Sequence, residues 1–86
     1  MHDVLLHRKA HSYYQRQDTN TKARLDQAFR RLKVNPFHGP QIKRLVGELS
    51  HLYRYRVGEL RILYQVHEDL QIVQVKAIGS RGNIYK

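Results

Sequence analysis

Three arginines occupy alternating positions on either side of a short turn in the second half of the chain. Arg54 and Arg56 precede the dipeptide at positions 58–59, and Arg61 follows it. Alternate residues of a strand point to one face of a sheet, so the three are expected to share a face, which Lys76 of the next strand would join. Arginine binds phosphate through paired hydrogen bonds and stabilises developing negative charge. The pattern predicts an anion site, whereas the plainer interpretation is a solvated outer face with Glu59 pairing one cation.

The patterns required for other common chemistries are not found. The six histidines show no metal-ligand spacing, cysteine is absent, and there is no phosphate-cradling glycine loop or Ser/His/Asp pattern. Paired carboxylates for acid–base catalysis are also missing. Any chemistry must therefore use Arg, Lys, Tyr and His. These groups suit a phosphodiester of RNA, because the 2′-hydroxyl of RNA supplies its own nucleophile and no metal is required.

Three further residues could extend such a site. Arg81 follows the last predicted strand and is expected close to the cationic face. Tyr85 could stack on a base of single-stranded RNA, or instead pack back on the core. His51 precedes the Arg54 strand, and histidine is a residue type that serves as acid or base in catalysis, although a histidine without function in a loop is the simpler interpretation.

The composition bounds the kind of protein. The chain has 86 residues, with 16 Lys and Arg against 7 Asp and Glu, for a formal charge of +9. This length predicts a single domain over residues 1–86, and the charge favours polyanionic partners. No apolar run approaches the ~20 residues of a membrane span, and the N-terminus does not resemble a signal peptide. The lack of cysteine is compatible with the cytoplasm.

A sheet with the arginines on one face must bury its opposite, apolar face against helices. Leu25, Ala28, Phe29 and Leu32 form one apolar stripe of an amphipathic helix, which ends at Asn35-Pro36. The whole pattern predicts an α+β fold, with an N-terminal strand and a helical hairpin packed on one face of a mostly antiparallel four- to five-stranded sheet. The predicted strands are 2–7, 41–45, 52–57, 60–67 and 70–79, and the predicted helices are 8–17 and 21–34.

Two turns set the predicted register of the cationic face. A two-residue loop at positions 58–59 pairs Arg56 with Arg61, and the same kind of loop at positions 68–69 brings Lys76 opposite Arg61. The opposite, apolar face is then expected to hold Tyr53, Tyr55, Val57, Leu60, Ile62, Tyr64, Val66, Val73, Val75 and Ala77. A single bulge would reverse the faces of the last strand.

The segment from Leu49 to Tyr85 resembles the core of the RelE family of bacterial toxins, within the RelE/ParE superfamily. The resemblance covers nearly the whole chain, but specific motifs occur only in its second half. These motifs are Arg54-Tyr55-Arg56, Leu60-Arg61-Ile62-Leu63-Tyr64, Gly79-Ser80-Arg81 with Tyr85, and the preceding Lys43-Arg44-Leu45-Val46-Gly47.

The resemblance implies the toxin of a type II toxin–antitoxin system. It would be a ribosome-dependent, metal-independent endoribonuclease that cleaves mRNA in the A site by attack of the 2′-hydroxyl. Its partners would be an acidic antitoxin, the ribosome and mRNA, with no cofactor and no membrane. The implied catalytic residues are Arg54, Arg56, Arg61, Arg81 and Tyr85, and the implied RNA-binding residues are Lys43, Arg44, His51 and Lys76.

The general base stays unassigned. Arginine remains protonated at neutral pH and is a poor base, so His51, Lys43 or groups of the ribosome would have to serve, or catalysis would depend on electrostatics and alignment. Two alternatives to the nuclease remain. One is a ParE-like inhibitor of DNA gyrase, and the other is a nucleic-acid-binding domain without enzymatic activity.

Overall fold

A five-stranded sheet forms the framework of the protein, for which a computed structural model describes residues 1–80. The strands lie in the order β1-β5-β4-β3-β2, with β1 parallel to β5 and the other neighbours antiparallel. The predicted α+β fold class is confirmed. The elements are β1 (Asp3–Leu6), α1 (Arg8–Gln15), α2 (Thr19–Val34), β2 (Ile42–Arg44), a 3₁₀ turn that the sequence did not predict (Gly47–Leu49), β3 (Tyr53–Val57), β4 (Leu60–His67) and β5 (Ile72–Ser80).

The helix α2 begins at a side-chain cap and is joined to α1 by a side-chain hydrogen bond. Asp18 accepts a 2.7 Å hydrogen bond from the Thr21 amide, so α2 starts two residues before the predicted position. This bond lowers the pKa of the Asp18 carboxyl. The hydroxyl of Tyr14 donates to the Asp26 carboxylate at 2.7 Å, which connects α1 to α2 and raises the pKa of Tyr14. No helix within residues 1–80 is long and apolar enough to cross a membrane.

The core lies between the helices and one face of the sheet. Leu25 and Leu32 of α2 are fully buried, as the apolar stripe predicted. The sheet side of the core holds Tyr55, Val57, Ile62, Tyr64, Val73, Val75 and Ile78. The face of the sheet that carries Arg54 and Arg61 therefore points away from the helices.

The register of the β3–β4 hairpin is the predicted one. Val57 pairs with Leu60, Arg56 with Arg61, and Tyr53 with Tyr64. Gly58 opens the turn at φ 59°, a left-handed conformation that glycine adopts without steric cost.

The predicted register of the β4–β5 hairpin is wrong. The turn takes four residues instead of two, so His67 pairs with Ile72, and a bulge between Leu63 and Tyr64 shifts the register once more. The Glu68-Asp69 pair lacks the glycine or asparagine that a two-residue turn favours, and within the longer turn Gln71 adopts φ 55°.

The bulge changes which residues face the core and which face the arginines. Ile78, not Ala77, joins the core opposite Ile62, and Gly79, not Lys76, lies opposite Arg61. Lys76 lies at the bulge itself, between Val75, which pairs with Tyr64, and Ala77. The extra residue of a bulge has no partner in the ladder, so Lys76 is not in the predicted row.

Tyr64 connects the sheet to the loop after α2. The ring is fully buried, and its hydroxyl donates to the Pro36 carbonyl at 2.6 Å. Tyr53 stacks on it with 5.6 Å between ring centroids, and Phe37 packs edge-on against Tyr53. Burial raises the pKa of the Tyr64 phenol, so the hydroxyl remains a donor at neutral pH.

Replacing Tyr64 with Phe should lower the free energy of unfolding by about 1–3 kcal/mol, because the buried Pro36 carbonyl would lose its donor. Urea denaturation followed by circular dichroism measures the change. Tyr13→Phe is the matched control, since the half-buried Tyr13 hydroxyl makes no hydrogen bond to any described residue, and it should change stability by less than about 0.5 kcal/mol. Equal losses in the two variants would contradict this role of Tyr64.

Candidate anion-binding site

The tip of the β3–β4 hairpin brings two arginines together. Arg56 and Arg61 are directly opposite each other on the face away from the helices. Like charges at directly opposite positions destabilise a sheet. The pair therefore carries an energetic cost for folding, and an anion bound between the two guanidinium groups would offset it.

Arg61 is the buried cation of this site. Its side chain is 9% exposed, and its Nη1 donates to the backbone carbonyl of Glu59 at 3.4 Å. This is a long bond, and the acceptor is the carbonyl rather than the Glu59 carboxylate that the sequence suggested as a partner. A buried charge is costly unless it is paired. Arg61 is thus held in place with most of its hydrogen-bonding capacity unused by the described residues.

Arg54 lies one row further along the sheet. It pairs with Leu63 of β4 and with Lys43 of β2. Its Nε is buried and has no hydrogen-bond partner among the described residues. Leu63 is 5% exposed although it is on the outer face. The arginines therefore emerge from a partly desolvated surface, where charge interactions are stronger than in open water.

A cleft at the hairpin tip lies beside Arg56 and Arg61. Its volume is about 440 Å³, and it is lined by Arg56, Gly58, Glu59, Arg61 and Ser80. Two guanidinium groups that converge on one cleft suit the non-bridging oxygens of a phosphate, which they can bind bidentately. No three His, Asp or Glu side chains form a possible metal site within residues 1–80.

The remaining predicted residues are distributed around this cluster. Lys43 shares the row of Arg54, whereas Arg44 pairs with Tyr53 and is therefore on the helix side of the sheet. There its Nε donates to the Ser50 carbonyl at 2.9 Å, and its guanidinium is 5.8 Å from the Tyr53 ring centroid. His51 is exposed, in the turn before β3.

Two predicted site residues, Arg81 and Tyr85, lie outside the described residues. One neighbour of the cluster was missed. Arg24 of α2 packs against Gly58, beside the arginine pair. The only signal in the sequence was the seven-residue spacing between Arg24 and Arg31, which places both on one side of a helix.

The helical hairpin on a five-stranded mixed sheet is the fold of the RelE/ParE superfamily of toxins. The archaeal RelE–RelB complex from Pyrococcus horikoshii matches with a TM-score of 0.79 at 22% identity, over 95% of this chain and 97% of that chain. The isolated E. coli RelE toxin matches with a TM-score of 0.80 at 17% identity, over 99% and 92%. The YoeB/ParE toxin from Agrobacterium tumefaciens matches with a TM-score of 0.78 at 21% identity, over 92% and 98%.

The family follows from a sequence comparison. The model of the family described as the ParE toxin of the type II toxin–antitoxin system, parDE, matches residues 5–85, and the chain belongs to this family. The resemblance to the RelE/ParE superfamily inferred from the motifs is thereby confirmed. No curated protein sequence matches significantly. At these identities, the structural neighbours establish the fold alone.

Replacing Arg61 with Met should leave stability in chloride unchanged or raise it by up to about 1 kcal/mol, because the like-charge pair is removed. Inorganic phosphate at matched ionic strength should raise the melting temperature of the wild-type protein beyond its effect on Arg61→Met, since a ligand stabilises the state that binds it. Differential scanning calorimetry measures both effects.

Arg30→Met is the control for the general salting effect of phosphate, because Arg30 is exposed on α2 and does not line the cleft that contains Arg61. It should respond to phosphate as the wild-type protein does. Equal phosphate responses in wild type, Arg61→Met and Arg30→Met would contradict an anion site at Arg61.

Proposed function

We propose that this chain is a ribosome-dependent endoribonuclease that cleaves mRNA in the A site and thereby inhibits translation. The main observation in support of this proposal is the buried Arg61. It lies opposite Arg56 in the hairpin, and no described carboxylate is paired with either arginine. Folding does not favour this arrangement. A phosphodiester whose charge increases during reaction would benefit from it. Action on ribosomes would take place in the cytoplasm.

In the proposed reaction, the 2′-oxygen of the RNA attacks the adjacent phosphorus and the bond from phosphorus to the 5′-oxygen breaks. The products are a 2′,3′-cyclic phosphate and a free 5′-hydroxyl. The proton of the 2′-hydroxyl passes to a base, and a proton is supplied to the departing 5′-oxygen. Arg56 and Arg61 would bind the non-bridging oxygens, and Arg54 would orient the strand one row away.

Lys43 and His51 are the side chains of this chain considered as the base of this reaction. Lys43 is directly opposite Arg54, which favours it over His51 as a group near the phosphate. Lysine, unlike arginine, can serve as a general base. Arg81 is proposed, on the family resemblance, to stabilise charge on the leaving oxygen, and Tyr85 to stack on a base of the mRNA.

The partner expected to silence this activity is a cognate antitoxin. Two similar structures are toxin–antitoxin complexes, one from Pyrococcus horikoshii and the RelBE complex from E. coli. An acidic antitoxin would complement the formal charge of +9. Membership in a type II toxin–antitoxin family supports the same assignment.

Inhibition of DNA gyrase is the second candidate function, because the matching family model is that of ParE. The same fold can host different activities, so the side chains at the site must discriminate. A protein that acts only by binding gyrase has no need for a buried arginine, without a carboxylate partner among residues 1–80, beside a second arginine. The Arg56–Arg61 pair therefore favours the nuclease.

Cleavage by the purified protein should require ribosomes, and mapping of mRNA 5′ ends should show cuts in phase with codons. Arg61→Ala should reduce the cleavage rate by about 10²–10³, the range for loss of one donor to a charged transition state. Arg81→Ala should cause a comparable loss. Lys9→Ala removes a cation from the exposed side of α1 and should retain the wild-type rate within about threefold.

Cleavage that is unchanged in Arg61→Ala and in Arg81→Ala would reject the site assignment. Intact mRNA together with DNA damage in cells that express the wild-type protein would reject the nuclease and support gyrase inhibition.

A further inference from the structure

A second cation-lined cleft lies on the helix side of the hairpin tip. It has a volume of about 380 Å³ between α2 and β3. Its charged lining consists of Arg24, Arg31 and Arg56, and the side-chain amides of Gln27 and Gln41 add neutral donors. No carboxylate of residues 1–80 lines it. The cleft thus combines fixed positive charge with hydrogen-bond donors, which is the chemistry of a phosphate-binding surface.

The position of Arg24 depends on the absence of a side chain at Gly58. A Cβ atom built at position 58 would collide with the Arg24 guanidinium. Gly58 also has φ 59°, so glycine serves two purposes at this position. It permits the two-residue turn, and it leaves room for the Arg24 guanidinium against the backbone. Arg24 makes no hydrogen bond or ion pair with another described residue.

The two clefts adjoin at the hairpin tip. Arg56 and Gly58 line both the cleft that contains Arg61 and the cleft that contains Arg24. A ligand that occupies both must therefore bend around the turn between β3 and β4. Duplex nucleic acid resists such bending, with a persistence length of about 150 bp for DNA. A single strand can follow this path with its phosphates toward the arginines.

We propose that the Arg24–Arg31 cleft binds the phosphodiester backbone of single-stranded RNA next to the phosphate held by Arg56 and Arg61. Arg24 and Arg31 are then binding residues for a flanking phosphate, and they position the strand for the proposed cleavage. The choice of RNA as the ligand rests on the proposed function. Because the contacts are to phosphate, the cleft contributes affinity without preference for base sequence.

The test is equilibrium binding of a fluorescein-labelled 12-nucleotide single-stranded RNA to the full chain without ribosomes, measured by fluorescence anisotropy between 50 and 200 mM KCl. Arg24→Gln and Arg31→Gln should each weaken binding about tenfold at 50 mM, as expected for one charge-assisted contact. Each should also reduce the slope of log K against log salt concentration by about 0.7, the value per phosphate on a single strand.

Lys33→Gln is the matched control, because Lys33 is exposed on the same helix and lines neither cleft. It should weaken binding less than threefold.

Gly58→Asn tests whether the Arg24 guanidinium must lie against the turn, without removing the charge of Arg24. Asparagine tolerates a left-handed φ, but its Cβ displaces the guanidinium. Gly58→Asn should weaken binding in the wild-type background and have little further effect in Arg24→Gln.

Binding by Arg24→Gln and Arg31→Gln that matches Lys33→Gln in affinity and salt slope would overturn the inference. Undetectable RNA binding by the wild-type protein at 50 mM KCl would also overturn it. The same holds if Arg24→Gln and Arg31→Gln lose as much affinity for a blunt 12-bp duplex DNA as for the single-stranded RNA. The proposed nuclease is tested separately by cleavage on ribosomes. If the cleft variants lose RNA binding but the wild-type protein does not cleave, the binding inference stands and the nuclease proposal fails.

Discussion

The left-handed turn at Gly58 is the constraint on which the site depends. Because the turn contains two residues, it fixes the pairing of all five residue pairs between β3 and β4. That pairing directs Tyr55, Ile62 and Tyr64 into the core and therefore directs Arg54, Arg56 and Arg61 away from it. A slip of one residue would bury the arginines and expose the aromatic rings. The apolar core thus enforces the cationic cluster, although the cluster itself opposes folding.

The balance between these two faces explains how a small chain tolerates such a site. On the helix side, Leu25, Leu32, Ile62 and Tyr64 are fully buried, and burial of each large apolar side chain stabilises the fold by roughly 1.5–3 kcal/mol. On the other side, a pair of like charges costs a fraction of that. The same sheet can therefore present a destabilising arrangement to a ligand, provided that its reverse side is well packed.

The parts of the structure that follow from local rules were predictable from the sequence. The stripe of Leu25, Ala28 and Leu32 defines α2, and Gly58 defines the first hairpin down to the register. The second hairpin was not predictable in the same way, because neither the four-residue turn nor the bulge opposite Leu63 and Tyr64 has a strong residue signature. Arg24 was missed for a different reason. Its place beside Gly58 results from packing between α2 and the hairpin, and no short-range pattern specifies that contact.

The bulge in β5 changes which residue of that strand lies opposite Arg61. It places Gly79, rather than Lys76, directly opposite Arg61. A lysine at that position would add a third cation to the row and would occupy space beside the guanidinium. With glycine there, the row of Arg56, Arg61 and Gly79 has two charged members and one member without a side chain. The shifted register of the neighbouring strand therefore keeps a third cation out of the row of Arg61, while Val73, Val75 and Ile78 all remain in the core.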